Sequence, residues 1–118
     1  MPYSEKQIKE AIELIPFIIE EDELNWKVPT KIGMKWLRLN PKYELKPEEY
    51  YPVSKSKDDN NPLSCFTCTC TWGTYRLSHP EPISKYCKHV IAVIFKLVNE
   101  KKIHENWADA ILNGEKNE

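Results

Sequence analysis

The sequence of 118 residues lacks several features, and each absence excludes a class of protein. It contains only three glycines and no glycine-rich loop of the kind that holds phosphate groups. No apolar run approaches the roughly 20 residues that a membrane-spanning helix requires. The stretch from Met1 to Glu10 is charged where a secretory signal would be apolar. These absences argue against a P-loop enzyme and a membrane protein, and they predict a soluble protein of the cytoplasm.

An excess of charge of one sign is also lacking, since 17 basic residues face 18 acidic ones and the net charge is -1. The overall balance therefore gives no electrostatic reason to expect nucleic-acid binding. The charges are nevertheless unevenly distributed, because residues 50–102 carry eight basic and four acidic groups, whereas residues 103–118 carry one and four. The segment from Leu24 to Tyr43 carries five cations and no acidic residue. Two stretches of the chain are thus candidates for contact with anions.

Apolar residues make up 41% of the chain and aromatic residues 11%, which is enough to fill a core. The length fits one small domain. Candidate catalytic groups are few, since the carboxylates from Glu20 to Glu23 have no histidine nearby in the sequence. The composition therefore predicts a folded domain that is not an enzyme.

The pattern of apolar residues predicts an α+β fold. Helical spacing marks two segments, Glu5 to Ile15 and Lys88 to Lys102. A last short helix, from Glu105 to Asn113, precedes Gly114, a residue type that favours helix termination. The acidic run Glu20 to Glu23 is typical of a solvated loop or helix end. The predicted strands are Lys35 to Leu39, Tyr51 to Ser56 and Leu63 to Thr69.

The order of these elements divides the chain into three parts. Residues 1–49 supply a helix and a strand that pack on the rest of the protein. Residues 50–102 form a central module in the order strand, strand, loop, helix. Residues 103–118 form the short C-terminal helix and an acidic tail.

All four cysteines lie in the central module, and their spacing predicts which of them meet. In a strand, alternate side chains share a face, so Cys68 and Cys70 project together while Cys65 projects to the other side. Residues two apart within a helix point nearly opposite ways, so Cys87 and His89 can meet one ion only if the helix begins near that point. Cys87 then lies in the entry turn, where the helix dipole favours its thiolate.

Three thiolates and one imidazole form a tetrahedral ligand set that Zn²⁺ accepts. Because the shell is complete, it predicts one structural zinc ion with no open position for water. Two disulfides or four unrelated buried thiols are alternatives. Cys65 could also pair with Cys68, and His79 could replace His89. The predicted ligands are Cys68, Cys70, Cys87 and His89.

The pattern of Cys68-x-Cys70, sixteen intervening residues and Cys87-x-His89 resembles the SWIM zinc finger. That family has the same ligand order in a strand, strand, helix frame. The resemblance covers roughly residues 50–100 and includes Trp72, shortly after the second cysteine. It implies a small zinc-stabilised strand-strand-helix module, here with an additional N-terminal helix and strand and a short C-terminal helix.

SWIM modules occur in transposase-like proteins, chromatin-remodelling ATPases, certain kinases and a recombination-mediator subunit that pairs with recombinase paralogues. Ala92, three residues after His89, matches an extended motif of the last group. The small size and the lack of an ATPase or kinase motif point the same way. The resemblance thus implies a non-catalytic subunit in DNA recombination or repair, with DNA and a recombinase paralogue as partners.

Two kinds of surface follow from these expectations. Cations contact DNA phosphates without sequence preference, and those near the ligands in the sequence are the better candidates. Trp26 and Trp36, in the other basic segment, are typical of core residues. Alternatively the protein is an adaptor between proteins without nucleic-acid contact, for which Trp107 is a candidate, although packing on the core is the commoner role. The phosphate-contact candidates are Lys55, Lys57, Arg76, Lys85 and Lys88.

Overall fold

The computed structural model describes residues 5–58, 65–70 and 86–113, with side chains described as far as residue 109. None of the helices in these ranges has the length and apolar character of a membrane span. Single turns of 3-10 helix are formed by Ile15–Phe17 and Pro47–Glu49. The other elements are α1 (Glu5–Leu14), β1 (Ile19–Asp22), β2 (Asn25–Pro29), α2 (Lys31–Leu39), β3 (Tyr50–Lys55), β4 (Phe66–Cys68), α3 (Lys88–Asn99) and α4 (Asn106–Asn113).

The four strands form one antiparallel sheet in the order β1-β2-β3-β4. Trp26 of β2 lies opposite Val53 of β3, and Val53 lies opposite Cys68 of β4. Because directly opposed residues share a face, these three side chains line one side of the sheet, and all three are buried. Pro52 and Thr67, on the other side, are exposed. The protein is therefore a small α+β fold whose sheet has one core face, and Cys68 lies on it.

Helix α3 is buried along most of its length. It contacts strands β2, β3 and β4 of the sheet as well as α1. Cover from several elements explains why apolar side chains surround most of its circumference. Its buried residues are His89, Val90, Ile91, Ala92, Val93, Ile94 and Leu97.

Several elements predicted from periodicity are confirmed. Helix α1, strand β3 and helix α3 lie where the sequence pattern places them, although α3 ends at Asn99 rather than at Lys102. Strand β4 lies inside the predicted strand Leu63 to Thr69 and is shorter. The division of the chain after residues 49 and 102 stays a prediction.

Helix α4 is attached to the sheet by an aromatic contact. Trp107 packs edge-on against Phe66, with ring centroids 6.2 Å apart and ring planes at 86°. This is a favourable arrangement for two aromatic rings. The interpretation of Trp107 as a residue that packs on the core is therefore confirmed.

The predicted strand Lys35 to Leu39 is wrong, because this segment is the second half of helix α2. Thr30 caps the helix, since its hydroxyl oxygen accepts a hydrogen bond from the N–H of Gly33 at 3.0 Å. Leu37, four residues after the buried Gly33, is also buried, whereas Leu39 is exposed. The burial follows helical spacing, and the alternation of two leucines is too short to specify a strand.

The acidic run Glu20 to Glu23 differs from its prediction in conformation. Three of its residues belong to β1, an edge strand that pairs with β2. All four residues of β1 are exposed, so the expected solvation is confirmed, although the segment is not a loop or a helix end. Strand β2 has no counterpart among the predicted strands, because it has only two apolar core residues, Trp26 and Val28, before Pro29.

Gly33 lies where α2 packs against the segment before β3. A Cβ atom there would lie 2.8 Å from the carbonyl oxygen of Glu49 and 3.1 Å from Cδ1 of Leu45. The same oxygen accepts a hydrogen bond of 2.9 Å from the N–H of Thr30, which restrains it. Despite the helix preference of alanine, we expect Gly33→Ala to lower the free energy of unfolding by about 1–3 kcal/mol in urea denaturation. Lys35→Ala, at an exposed position of α2, is the control, and equal midpoints for the two variants would contradict this packing.

Candidate metal centre

Strand β4 positions the first two members of a buried cluster of sulfur and nitrogen atoms. Cys68 ends the strand on the core face, and Cys70 follows two residues later. Their exposed fractions are 3% and 5%, whereas Thr69 between them is exposed. The alternation of the extended chain therefore turns both cysteines to the interior, as the sequence predicts.

The beginning of α3 positions the other two members. Cys87 is the residue before the helix, with extended backbone angles of φ -76° and ψ 166°, and its side chain makes no capping hydrogen bond. Its carbonyl oxygen accepts a hydrogen bond of 3.1 Å from the N–H of Ile91. His89 lies in the first turn and is buried. The predicted start of the helix between Cys87 and His89 is confirmed, and it lets residues two positions apart reach one point.

The four side chains meet at distances that suit a metal ion. The ligand atoms of Cys68, Cys70, Cys87 and His89 all lie within 4.8 Å of one another. Nδ1 of His89 is 3.8 Å from Sγ of Cys68. A tetrahedral zinc ion, with bonds of about 2.3 Å to sulfur and about 2.0 Å to nitrogen, holds its ligand atoms about 3.5–3.8 Å apart. The cluster could therefore hold one metal ion with little rearrangement.

The surroundings of the cluster, taken without a cation, disfavour ionised thiols. Hydrogen bonding with Cys70 raises the pKa of Cys68 well above its ordinary range, and hydrogen bonding with Cys87 and burial raise it further. A hydrogen bond with Cys68 lowers the pKa of Cys87, but hydrogen bonding with Cys70 and burial outweigh this effect and raise the pKa to about 12. A bound divalent cation supplies the positive charge that reverses this preference and makes thiolates stable.

One of the two ring nitrogens of His89 lacks a hydrogen bond within the described residues. Its Nε2 is buried and forms no hydrogen bond with any residue that the structure describes. The ring packs against Tyr51, with ring centroids 4.9 Å apart, which restricts its orientation. A buried nitrogen without a hydrogen bond costs free energy, and a metal ion bound at Nε2 would remove that cost. Binding at Nδ1, the nitrogen near Cys68, would instead use the atom that already lies among the thiols. The donor set therefore fits a metal ion.

The structure tests two of the other interpretations of the cysteines, a ligand role for Cys65 and the formation of disulfides. Cys65 is buried, but its sulfur is not among the ligand atoms that lie within 4.8 Å of one another, so it does not join Cys68 in the cluster. No disulfide joins any of the four cysteines, all of which the structure describes. His79 lies outside the described residues.

A cleft of about 330 Å³ borders the cluster. Glu10 of α1 and Lys88 of α3 form an ion pair in it, with Nζ and Oε1 3.4 Å apart. Lys31, the first residue of α2, also lines the cleft. Cysteine spacing does not predict these neighbours, because they come from distant parts of the chain. Tyr51 could be identified as a neighbour of the cluster from the strand pairing. The antiparallel register that pairs Val53 with Cys68 brings Tyr51 next to the chain after β4.

The phosphate-contact candidates do not form one surface in the described ranges. Lys88 lies at the cleft beside the cluster. Lys55 lies at the other end of β3, about 13 Å along the strand from Tyr51, and lines a separate cavity. Lys57 is exposed two residues further on. Two candidates lie outside the described residues, Arg76 and Lys85.

The basic segment from Leu24 to Tyr43 contains both core and surface residues. Trp26 is only 1% exposed, whereas Trp36 is 42% exposed, so the expectation of a core position is right for Trp26 and wrong for Trp36. Arg38 donates two hydrogen bonds of 2.8 Å to the carboxylate of Glu13. These contacts hold the pKa of Glu13 below its ordinary value and connect α2 to α1. Part of the local positive charge is thus neutralised within the protein.

The fold and the cluster together define a small α+β protein with a buried Cys3His group that could hold one metal ion. No family model, no curated protein and no solved structure matches this chain. The assignment of a metal centre therefore rests on the chemistry and geometry of the four side chains.

Proposed function

We propose that the Cys3His group is a structural zinc site and that the protein is a zinc-dependent binding module. The observation that carries this proposal is the convergence of three buried thiols and one buried imidazole, with all ligand atoms within 4.8 Å of one another. Thiolate and imidazole ligands favour Zn²⁺ over Mg²⁺ and Ca²⁺, which prefer oxygen. The ion would connect the end of β4 to the beginning of α3.

The arrangement of the ligands supports a module of the SWIM type. Strands β3 and β4 form an antiparallel pair, and α3 packs on the sheet. Two ligands come from the end of the second strand and two from the start of the helix. This order of strand, strand and helix is the one expected of the SWIM zinc finger, which the ligand spacing in the sequence resembles.

The proposed role of the ion is structural, and the proposed module is non-catalytic. Four protein ligands complete a tetrahedral shell, whereas a catalytic zinc ion keeps a position for water or substrate. Glu10, a carboxylate at the neighbouring cleft, is engaged by Lys88. We therefore propose no general base that acts on a zinc-bound water.

The proposed activity of the module is DNA binding, as a non-catalytic subunit that acts in recombination or repair beside a recombinase paralogue. The resemblance of the ligand pattern supports this role. Cations at the cleft, Lys31 and Lys88, and the exposed Lys57 support it through their ability to contact phosphates. Such contacts give affinity with little sequence preference.

Fluorescence anisotropy with labelled single- and double-stranded DNA tests this activity in the zinc-loaded protein. We expect the logarithm of the binding constant to fall with the logarithm of the salt concentration with a slope of about -3 or steeper, because several counterions are released. Lys57→Gln should make the slope shallower by about 1, and Lys88→Gln by less, because Lys88 is already paired with Glu10. Lys6→Gln, at the exposed beginning of α1, should leave it unchanged. No binding of either DNA at low salt would exclude direct DNA contact.

A protein–protein adaptor is the second candidate function. The observation that favours it is an exposed apolar row on α2, where Ile32 and Leu39 are 62% and 73% exposed. Aliphatic side chains do not contribute to phosphate contacts, whereas their burial drives the association of proteins. The two functions can coexist, because two of the proposed DNA contacts lie outside α2: Lys57 follows β3 and Lys88 begins α3.

A further inference from the structure

The outward side of α2 carries two parallel rows of side chains. Ile32, Trp36 and Leu39 follow each other at intervals of four and three residues, which places them along one line of the helix. They are 62%, 42% and 73% exposed. The basic row, offset by one residue from the apolar row, consists of Lys31, Lys35 and Arg38.

The exposure of the apolar row does not come from a poorly packed helix. The opposite side of α2 is buried through Gly33, Met34 and Leu37. The helix also has a side-chain cap at its beginning, where Thr30 accepts the N–H of Gly33 at 3.0 Å. Trp36 is further restrained by Tyr43, with ring centroids 5.8 Å apart. The row is therefore presented on a fixed surface.

The basic row is only partly neutralised within the described residues. Arg38 is paired with Glu13, but no acidic side chain of the described ranges lies within 4 Å of Lys31 or Lys35. Other cations of the sheet and α3, such as Lys27 and Lys96, have acidic partners. No acidic residue occurs between Leu24 and Tyr43. Glu10 and Glu13 line the same cavity as Lys31 and partly offset its charge. The positive charge that remains beside the apolar row is therefore mainly that of Lys35.

The geometry points to α2 as a docking surface for an acidic amphipathic helix of a partner protein. The apolar row fits the anchor spacing of helix–helix and helix–groove recognition, and Lys31 and Lys35 would meet carboxylates beside the partner's apolar stripe. DNA is less suited, because it would leave Ile32 and Leu39 exposed. A second copy of this chain, docked through the same face, would bring two basic rows together. This inference rests on the adaptor function proposed above and specifies its partner. It does not depend on DNA binding, although Lys31 is also one of the cations proposed to contact phosphates.

Three synthetic peptides of about 18 residues, long enough to form a helix, test the inference against the zinc-loaded protein. The first carries leucines at helical spacing flanked by glutamates. The second has lysines in place of the glutamates, and the third has the composition of the first in an order that destroys the apolar row. We expect the first peptide to bind in anisotropy titrations and to shift the backbone amide signals of α2 in NMR spectra. The other two should bind at least about tenfold more weakly.

Two variants identify the surface. Ile32→Ser combined with Leu39→Ser should weaken the first peptide at least about tenfold, because two aliphatic contacts are lost. Ile12→Ser, at a 52% exposed position of α1, is the matched control and should bind as the unmodified protein does. Lys35→Glu should shift the preference toward the lysine peptide, whereas Lys9→Glu on α1 should not. Well-dispersed NMR spectra verify that each variant is folded.

Several results would overturn the inference. One is the failure of the first peptide to bind at about 1 mM, the weakest affinity of interest. Others are equal binding of the acidic and basic peptides, or shifts that leave α2 unaffected. Phosphatidylserine vesicles and single-stranded DNA are included as further probes. Binding of either one through Ile32 and Leu39, without a preference for the acidic peptide, would assign the surface to a different partner.

Discussion

Replacement of Cys87 by serine is expected to abolish cooperative unfolding of the protein. The four ligands join the end of β4 to the start of α3, and that helix forms much of the core. In structural sites the free energy of zinc binding is folding free energy, about 10–16 kcal/mol in zinc-finger peptides, which is comparable with the whole stability of a domain. Circular dichroism and NMR spectra of Cys87→Ser, and of the unmodified protein treated with a chelator, should both report loss of the packed core.

Cys65→Ala is the matched control for this experiment. Cys65 is 1% exposed, as buried as the ligands, but its sulfur lies outside the cluster. We expect this variant to lose only about 1 kcal/mol of unfolding free energy and to keep its bound metal. If Cys87→Ser unfolds as cooperatively as Cys65→Ala and at a similar denaturant concentration, the cluster does not hold β4 and α3 together.

Trp26→Ala is expected to have the second large effect. Trp26 is 1% exposed, lies on the interior strand β2 opposite Val53, and packs against Phe66 with ring centroids 6.0 Å apart. Removal of a buried tryptophan side chain costs about 3–5 kcal/mol, because a cavity remains and apolar burial is lost. Such a loss approaches the total stability of many small domains. Urea or thermal unfolding of the zinc-loaded variant measures it.

Trp36→Ala is the control that separates the effect of burial from the effect of removing a tryptophan side chain. It removes the same side chain from a position that is 42% exposed and contacts the ring of Tyr43. We expect a loss of about 1–2 kcal/mol, clearly smaller than for Trp26→Ala. Equal losses for the two variants would mean that Trp26 does not fill the core in the way the structure shows.

The candidate metal ligands could be predicted because their positions depend on local rules. Strand alternation turns Cys68 and Cys70 to one side, and the helix start between Cys87 and His89 brings that pair together. Thiol and imidazole groups also have few other common roles at such spacing. Helix α3 could be predicted for a similar reason, since its apolar pattern extends over twelve residues.

Helix α2 could not be predicted, because its conformation depends on contacts from outside the segment. Gly33 packs under the carbonyl oxygen of Glu49, sixteen residues later, and Leu37 is buried at helical spacing. Within the sequence, Leu37 and Leu39 alone suggest alternation. The neighbours of the cluster, Glu10 and Lys31, are likewise brought there by the packing of α1 and α2, which no local spacing encodes.

The exposure of Trp36 is another feature that could not be predicted from the sequence alone. Trp26 and Trp36 have similar basic and apolar neighbours in the sequence, yet one fills the core and the other lies on the surface. The difference comes from their elements, since β2 is interior to the sheet and α2 lies at the periphery with one buried side. Composition identifies residues that can form a core, whereas topology decides which of them do.

The metal content of the native protein tests the zinc site most directly. The protein is purified without chelators and without unfolding, and its metals are measured by elemental analysis together with native mass spectrometry. We predict one zinc ion per chain, retained in Cys65→Ala and lost in Cys87→Ser. Native, folded protein that contains no zinc and takes up none when zinc is supplied would contradict the proposal of a structural zinc site.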